Sequence, residues 1–368
     1  MNPSNLIKLS LEQIKTHVEQ YGANLAKTKF PDTYIIKFNP LTNAYHPQIR
    51  QVRGLIFNHA TQEIYSLGFP VPIEFKEQAP TEQQWIIDHL HRASFKVIEA
   101  LDGTLIRLWY HKPSQQWILS TNNKEDAHDA FWMNKVSFGD LFEATLARIL
   151  SGLKMEYVYI FSLCHPLNVI VVNHDQPKIF HVATYNRTNQ QEIRVNIGVE
   201  QPTELHLTVD QIILMTQSSR TMPVASAGFT VIENSNDGVN IHRYRFENVN
   251  YTRARLIRGE TNRVEEIIML YYLTQPLVLQ EFLLYYPIYV PLYQQLIQKF
   301  NLLVEQVYNQ YIFRFVQKKN IWVNKPIHQL LAQIHAQLYI PHKKPLTLQD
   351  VYNFLFNQSP ALILSLIE

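Results

Sequence analysis

The residue pattern changes character along the chain, and this change limits the folds available to it. Between about Tyr34 and Leu256, short segments rich in Ile, Val and Tyr alternate with turn residues, which is typical of β-strands. From Arg263 onward, apolar residues recur every three or four positions, as in Leu296, Phe300 and Leu303, which is typical of amphipathic helices. The sequence therefore predicts an α+β region followed by an all-helical region.

The chain has 368 residues, more than a single hydrophobic core usually serves, so we expect two domains. The predicted boundary lies at residue 258, which gives domains of residues 1–258 and 259–368. Within the first domain, apolar spacing predicts a helix over Lys124–Trp132, among others. A run of β-branched residues predicts one of its strands over Val169–Val172.

Charge and cysteine content restrict the environment of the protein. The formal net charge is +2, so nucleic acid binding would require a local basic patch. Cys164 is the single cysteine, which excludes an internal disulfide and favours the cytoplasm, although an exported protein without disulfides stays an alternative. Proline interrupts the most apolar late segments, so no membrane span is predicted.

The most informative segment runs from Glu99 to Thr104 and reads Glu-Ala-Leu-Asp-Gly-Thr. It follows one predicted strand and precedes another. An Asp-Gly pair between strands is a common hairpin turn, so this segment alone does not indicate a function.

Short motifs in a fixed order surround this segment. They are Arg53-Gly54, Phe69-Pro70, Glu74-Phe75-Lys76 and the stretch Ser162 to Val171. With the central segment they resemble the phage-type RNA ligase family of covalent nucleotidyltransferases. That family has, in order, an Arg-Gly strand, a Phe-Pro and Lys/Phe segment, a Lys-x-Asp-Gly motif, a Phe-Glu and Asn-Arg-Ile-Val motif, a Glu-Gly motif and a Lys-x-Lys motif.

The resemblance implies a fold, a reaction and cofactors. The implied fold is a nucleotidyltransferase domain of antiparallel sheets with helices around an ATP cleft, followed by a helical domain. In the family, a lysine amine attacks the α-phosphate of ATP and pyrophosphate leaves; the AMP then passes to a 5′-phosphorylated RNA end, to which a 3′-hydroxyl is joined. Mg²⁺ offsets the charge on the phosphates. The expected partners are therefore a nucleotide and RNA ends.

Carried over residue by residue, the resemblance implies a set of nucleotide contacts: Arg53, Phe75, Glu99, Asp102, Gly103, Ser162, Asp237, Arg253 and Arg255. Asp102 and Asp237 are the implied metal ligands. These assignments follow the family motifs only.

The departures from the family fall on the residues that carry its chemistry. Ala100 stands at the position of the nucleophilic lysine, and a methyl group has no lone pair to attack phosphorus. Ser162 replaces the glutamate of the third motif, and Val169 replaces the arginine of Asn-Arg-Ile-Val. The Glu-Gly motif corresponds to Asp237-Gly238, and the paired lysines correspond to Arg253 and Arg255.

A displaced lysine could take the place of the family nucleophile. Lys76 is the best candidate because its segment lies near the nucleotide in the family, and Lys124 is the next. Lys96 lies about 13 Å of extended chain from Ala100, too far without rearrangement.

Several functions stay open at this point. A substitution introduced to trap a complex would leave the other catalytic residues intact, so Ser162 and Val169 favour natural divergence, although an engineered change on an already divergent ligase stays an alternative. The chain is then an RNA ligase-like enzyme that is inactive in this form or uses another nucleophile. The alternatives are a non-catalytic nucleotide- or RNA-binding module that acts through a protein partner, and an enzyme that uses the ATP cleft on a substrate other than RNA.

Overall fold

The computed structural model describes residues 2–39, 42, 46, 48–131, 136–146, 152–218, 226–233, 241–259, 261, 263–319 and 324–367. The chain forms two compact units, Met1–Arg255 and Leu256–Glu368. Strands are confined to the first unit in the described part of the chain, and the second unit is helical there.

The described strands are β1 (Asn24–Lys27), β2 (Thr33–Lys37), β3 (Ile56–Asn58), β4 (Glu63–Ser66), β5 (Ile73–Glu74), β6 (Phe95–Glu99), β7 (Thr104–His111), β8 (Gln116–Ser120), β9 (Tyr157–Cys164), β10 (Lys178–Asn186), β11 (Glu192–Ile193), β12 (Glu204–Leu205), β13 (Gly228–Glu233) and β14 (Arg243–Glu247). The described α-helices are α1 (Pro3–Leu6), α2 (Leu11–Glu19), α3 (Pro80–Leu90), α4 (Phe138–Thr145), α5 (Val209–Gln217), α6 (Val249–Arg258), α7 (Val264–Thr274), α8 (Pro276–Tyr285), α9 (Val290–Tyr311), α10 (Lys325–Ile334), α11 (Ile340–His342), α12 (Leu348–Phe356) and α13 (Pro360–Ile367).

The strands form three sheets. The first sheet has the order β1-β2-β3-β4, the second β11-β10-β9-β7-β8, and the third β12-β6-β13-β14-β5. Neighbouring strands are antiparallel except for β14 and β5, which are parallel. The third sheet joins segments that lie far apart in the sequence, since β6 pairs with β13.

Strand β9 contributes side chains to two hydrophobic clusters, one on each of its faces. Its residues are apolar almost without interruption because both of its faces are covered. Val158 and Ile160 pack into the hydrophobic cluster of the first sheet. Phe161 and Leu163 point the other way, into a second cluster that includes Phe142 of α4.

Helices α3 and α5 cover one face of the third sheet. Ile86 of α3 and Ile212 of α5 pack with Val231 and Phe246 in a third hydrophobic cluster. Helix α5 begins at a capping box, in which the Thr208 side chain accepts a hydrogen bond from the backbone N–H of the third helical residue. The opposite face of this sheet is therefore left for other contacts.

The second unit packs around the long helix α9. Its buried positions include Leu296, Phe300 and Leu303, which follow the predicted helical spacing. Among the aromatic residues of this region, Phe282 is fully buried and Tyr286 is 1% exposed, so these side chains are core residues. None of the helices in the described ranges combines the length and apolar character needed to cross a bilayer.

The predicted α+β class with a helical C-terminal region is confirmed. Two element predictions were wrong. In the described part of Lys124–Trp132, only a short 3₁₀ turn forms, at Ala127–Asp129, because the Asp126 side chain caps it locally. Val169–Val172 is not a strand, since two of its backbone N–H groups donate to the Asp102 side chain instead of to a strand partner.

Candidate functional site

One row of residues runs across the free face of the third sheet. In the strand register, Ile98 of β6 lies opposite Thr230 of β13, and Thr230 lies opposite Arg245 of β14. Glu74 of β5 pairs in turn with Arg245. Cross-strand partners face the same side of a sheet, so these four side chains form one continuous surface.

The second sheet supplies the facing wall. Leu105 of β7 and Ser162 of β9 are register partners, and both face the row just described. A cleft of about 310 Å³ lies between the two sheets. Its lining comprises Arg53, Phe69, Pro70, Val71, Pro72, Glu74, Ile98, Glu99, Leu101, Gly103, Leu105, Ser162, Val182, Pro202, Thr230, Arg243, Arg245 and Arg255. We call it the arginine cleft, after its four arginines.

Gly103 lets the Asp-Gly turn before β7 pack closely against β9 of the same sheet. A Cβ atom at this position would lie 2.5 Å from the Ser162 Oγ and 2.8 Å from the Leu163 carbonyl oxygen. Neither distance is tolerated, and the second involves backbone that cannot turn away. The glycine of the Asp-Gly turn is therefore required by packing against β9.

The Arg-Gly motif is held in place by a buried guanidinium group. Arg107 of β7 is fully buried and donates to the carbonyl oxygens of Gly54, Leu67 and Thr121. Within the described residues no carboxylate pairs with it, and burial, with the nearby charge of Arg53, lowers its pKa to about 9. Arg107 thus fixes the backbone next to Arg53 and adds positive potential on that side of the cleft.

The other cleft arginines lie in ion pairs with glutamates, of which Glu74 also lines the cleft. The Arg243 Nη2 is 2.5 Å from Glu192 Oε2, and the Arg255 Nη1 is 2.9 Å from Glu247 Oε1. The Arg245 Nε lies 3.5 Å from the same Glu247 oxygen and 4.0 Å from Glu74 Oε1. These pairs orient the guanidinium groups toward one cavity.

Glu74 is the acidic residue most deeply set in the cleft lining. Its side chain is 13% exposed. Burial raises the pKa of this carboxyl to about 7, although the charge of Arg245 opposes the shift. The group is therefore close to half protonated near neutral pH.

Ala100, which the resemblance aligns with the nucleophilic lysine, lies at the edge of the cleft surface. Ala100 directly follows the last residue of β6, and its backbone N–H donates to the Gly228 carbonyl. It is 5% exposed, and its methyl group does not line the cleft, unlike its neighbours Glu99 and Leu101.

The two candidate substitute lysines lie outside the cleft lining. Lys76 donates through Nζ to the Thr252 hydroxyl at 3.3 Å, next to Glu247. Burial lowers the pKa of the Lys76 amine. Lys124 is exposed, and its backbone N–H donates to the Thr121 hydroxyl.

Asp102 is buried, and hydrogen-bond donors surround its carboxylate. One oxygen accepts from the N–H groups of Val171 at 2.9 Å and Val172 at 2.6 Å. The other accepts from the Tyr251 hydroxyl at 2.7 Å. This arrangement ties the Asp-Gly turn to the segment after β9 and to α6.

The structure brings five predicted contact residues together in the cleft lining: Arg53, Glu99, Gly103, Ser162 and Arg255. Phe75 instead stacks on Phe246 within a hydrophobic cluster, with ring centroids 4.6 Å apart. Arg253 is exposed and does not line the cleft. Asp237 lies outside the described residues.

Arg243, Arg245 and Glu74 were not identified as cleft residues from the sequence. A signal was present, because Arg243 to Glu247 alternates charged with aromatic residues, the period-two pattern of a half-buried strand. Arg243 and Arg245 lie two residues apart and therefore face one side of β14.

Comparison with known proteins gives one match in sequence. No model of a known protein family matches the chain. An immediate-early protein ICP-46 homolog of Invertebrate iridescent virus 3 is 31% identical over 102 residues. The match covers 27% of this chain and 22% of that protein, so the chain spans about a fifth of the length of this relative.

Solved ATP-dependent ligases are similar to the chain in structure. An RNA ligase variant from Naegleria gruberi, determined with ATP and Mn, has 12% identity over 53% of this chain and 59% of its own, with a TM-score of 0.36. An archaeal ATP-dependent RNA ligase has 12% identity over 75% and 71%, with a TM-score of 0.44. A protein of Aquifex aeolicus described as an ATP-dependent DNA ligase has 12% identity over 89% and 88%, with a TM-score of 0.39. All these scores lie below 0.5, so the site must be interpreted from its own residues.

Proposed function

We propose that the chain is a nucleotidyltransferase-fold protein of the RNA ligase type that binds ATP or a related nucleotide in the arginine cleft. Residues 1–258 form the nucleotide-binding domain in this proposal. The observation that carries it is the convergence of four guanidinium groups on one cavity between two sheets. Guanidinium groups bind phosphate oxygens through paired, charge-assisted hydrogen bonds.

The proposal includes loss of the family's first reaction at position 100. Ala100 offers no nucleophile, and Ser162 offers a neutral hydroxyl where the family resemblance expects a carboxylate. The cleft would therefore hold a nucleotide without forming a lysyl adduct there. The ligand could also be the 5′-phosphorylated end of an RNA, which presents the same phosphate chemistry.

Nucleotide binding is tested by calorimetric titration of ATP into the native chain and two arginine variants. Arg255→Ala removes a cleft guanidinium, and we expect the Kd to rise about tenfold or more, since one charge-assisted hydrogen bond is worth about 1.5 kcal/mol or more. Arg253→Ala is the matched control, because Arg253 lies on the same helix and does not line the cleft. Equal effects of the two changes, or no binding by the native chain, would contradict the proposal.

Loss of self-adenylylation is tested with ATP labelled at the α-phosphate, in the presence of Mg²⁺. We expect no covalent label on the native chain. Label on an Ala100→Lys chain alone would support a cleft that still positions the α-phosphate but lacks the nucleophile. Label on the native chain that disappears in Lys76→Ala would instead identify a displaced nucleophile.

Competition separates the two candidate ligands. A 5′-phosphorylated oligoribonucleotide and its 5′-hydroxyl counterpart are each added to the chain with ATP bound. Displacement of ATP by the phosphorylated form alone would show that the cleft accepts an RNA end. Absence of displacement by both would leave the nucleotide as the ligand.

A further inference from the structure

The second unit contains a long stretch of sequence without acidic residues. Positions 306–349 hold six of the chain's 33 Lys and Arg residues and none of its 31 Asp and Glu residues. The six are Arg314, Lys318, Lys319, Lys325, Lys343 and Lys344. Since the net charge of the whole chain is only +2, the remaining residues are acidic in sum. Positive charge is therefore concentrated in one stretch, as nucleic acid binding by a chain of this net charge requires.

The cations of this stretch are accessible to a ligand. All five lysines are exposed, and Arg314 is half-buried. Across the described residues none of the six forms an ion pair with a carboxylate, and Arg314 donates through Nη2 to the His328 Nε2 at 2.7 Å. Three arginines of the arginine cleft, in contrast, pair with glutamates. The six cations therefore keep their full charge for an external anion.

A row of stacked rings fixes the end of α9 to the end of α10. Phe315 stacks on Tyr311, the last residue of α9, with ring centroids 5.0 Å apart. On its other side Phe315 stacks on His335, which directly follows α10, at 4.1 Å. His335 stacks in turn on Tyr339 at 5.0 Å. The basic residues beside these rings are thus held on one packed framework within the second unit.

Three of the cations lie over aromatic rings. The pairs are Lys319 over Phe313 at 5.3 Å from the ring centroid, Arg314 over Phe315 at 5.8 Å and Lys343 over Tyr339 at 5.8 Å. Among these rings, Phe313 is 39% exposed. Proteins that bind single-stranded nucleic acid combine cations for the phosphates with aromatic faces for the bases. This surface offers both kinds of group side by side.

The outer side of α10 is polar, which distinguishes this surface from one that inserts into a membrane. A helix that lies in a bilayer interface presents an apolar face to the lipid. The apolar residues of α10 are instead buried, namely Ile327, Leu330, Leu331 and Ile334. Its exposed residues include Lys325, His328, Gln329 and Gln333. Amide groups such as those of the two glutamines can form hydrogen bonds with sugars and bases.

We infer that the six cations and Phe313 form a surface, the basic surface, that binds single-stranded nucleic acid. The lysines contact the phosphates, and the Phe313 ring stacks on a base. The inference does not depend on the nucleotide proposed for the arginine cleft, because all of these contacts lie in the second unit. It also requires no phosphate at the end of the strand, so an internal segment of a longer strand fits the basic surface.

The test measures binding of a single-stranded oligouridylate with a 5′-hydroxyl and a 3′ dye to the full chain, by fluorescence anisotropy at a series of salt concentrations. One variant replaces four lysines by glutamine, at Lys318, Lys319, Lys343 and Lys344. We expect its Kd at low salt to rise about tenfold or more. The slope of log Kd against log salt should fall by about 0.7 for each replaced lysine that contacts a phosphate.

The matched control replaces four exposed lysines of the first unit by glutamine, at Lys8, Lys15, Lys112 and Lys154. The two variants have the same net charge, so we expect the control to keep its Kd within about threefold of the native value and to keep the native salt slope. Both variants should retain the native circular dichroism spectrum and thermal transition. Equal losses of affinity in the two variants would overturn the inference.

Phe313→Leu tests the base contact separately from the charge. This substitution keeps an apolar side chain and removes the aromatic face, so we expect the Kd to rise about fivefold or more while the salt slope stays the same. An unchanged Kd would contradict stacking on Phe313.

Two further results would overturn the inference as a whole. The first is a loss of oligouridylate affinity in Arg255→Ala as large as that in the four-lysine variant, which would place the strand in the arginine cleft. The second is absence of oligouridylate binding by the native chain together with binding to vesicles of phosphatidylserine and phosphatidylcholine, which would identify a membrane surface as the ligand. Binding of the oligouridylate that is lost only in the basic-surface variants would support the inference.

Discussion

Asp102 illustrates how one side chain can match a catalytic motif and still have a structural role. The resemblance implies a nucleotide contact and a metal ligand at this position. In the structure the carboxylate is 5% exposed and joins three segments through the amides of Val171 and Val172 and the Tyr251 hydroxyl. Its contribution is therefore expected to appear in the free energy of unfolding.

Asp102→Asn should lower the free energy of unfolding by about 2 kcal/mol. An amide group presents an oxygen on one side only, so at least one buried donor must face the NH₂ group. Urea unfolding monitored by fluorescence measures the loss, with the exposed Asp129→Asn as the control expected to change stability by less than about 0.5 kcal/mol. The same loss should occur in EDTA and in Mg²⁺, and a loss confined to Mg²⁺ would indicate a metal ligand instead.

Among the elements, the short edge strand β5 has a particular electrostatic role. It adds Glu74 to a sheet whose neighbouring strand β14 carries Arg243 and Arg245. Glu247 on the same strand competes with Glu74 for Arg245, whose Nε lies 3.5 Å from Glu247 and 4.0 Å from Glu74. This explains why burial outweighs the nearby positive charge and raises the pKa of Glu74.

Stability should therefore depend on the protonation of Glu74. The pKa is about 7 in the folded chain and 4.5 in the reference state, so the folded state binds the proton more tightly. The resulting stabilisation is fully present below pH 4.5 and is lost as the pH rises through 7, by a total on the order of 3 kcal/mol. Urea unfolding at a series of pH values should show this decrease.

Glu74→Gln removes the titrating group, and the decrease between pH 4.5 and 7 should disappear from its stability profile. Glu77→Gln is the matched control, because Glu77 lies in the same segment and is exposed. Its profile should follow that of the native chain. A native profile that rises over this pH range would show that Glu74 is instead ionised and paired in the folded state.

On the scale of the whole molecule, the sequence predicts segments better than the pairing between them. Strands such as β2, β7 and β9 are rich in β-branched and aromatic residues, and their positions follow from this composition. The pairing of β6 with β13 joins residues that lie more than a hundred positions apart, and no local pattern indicates it. The cleft depends on this pairing, since the row from Ile98 to Arg245 crosses both strands.

The site was predictable to the extent that its residues lie in local motifs. Arg53, Glu99, Gly103 and Ser162 belong to such motifs, and all four line the cleft. Arg243 and Arg245 of β14 were not predicted to line the cleft. Their charge made the alternating pattern of a half-buried strand difficult to recognise. The bonding of Asp102 also could not be foreseen, since its donors belong to a non-strand segment and to a helix 149 residues away.

The distribution of the cleft residues leads to a prediction for the division of the chain. Every lining residue lies between positions 53 and 255, and the three hydrophobic clusters of the sheets draw only on the first unit. A fragment of residues 1–258, which keeps α6 whole, is large enough to bury its own core. We expect it to unfold in one cooperative thermal transition and to bind ATP with a Kd within about twofold of the full chain. Arg255→Ala in the fragment should weaken binding as it does in the full chain. A soluble, cooperatively folded fragment without ATP affinity would show that the cleft requires residues beyond 258.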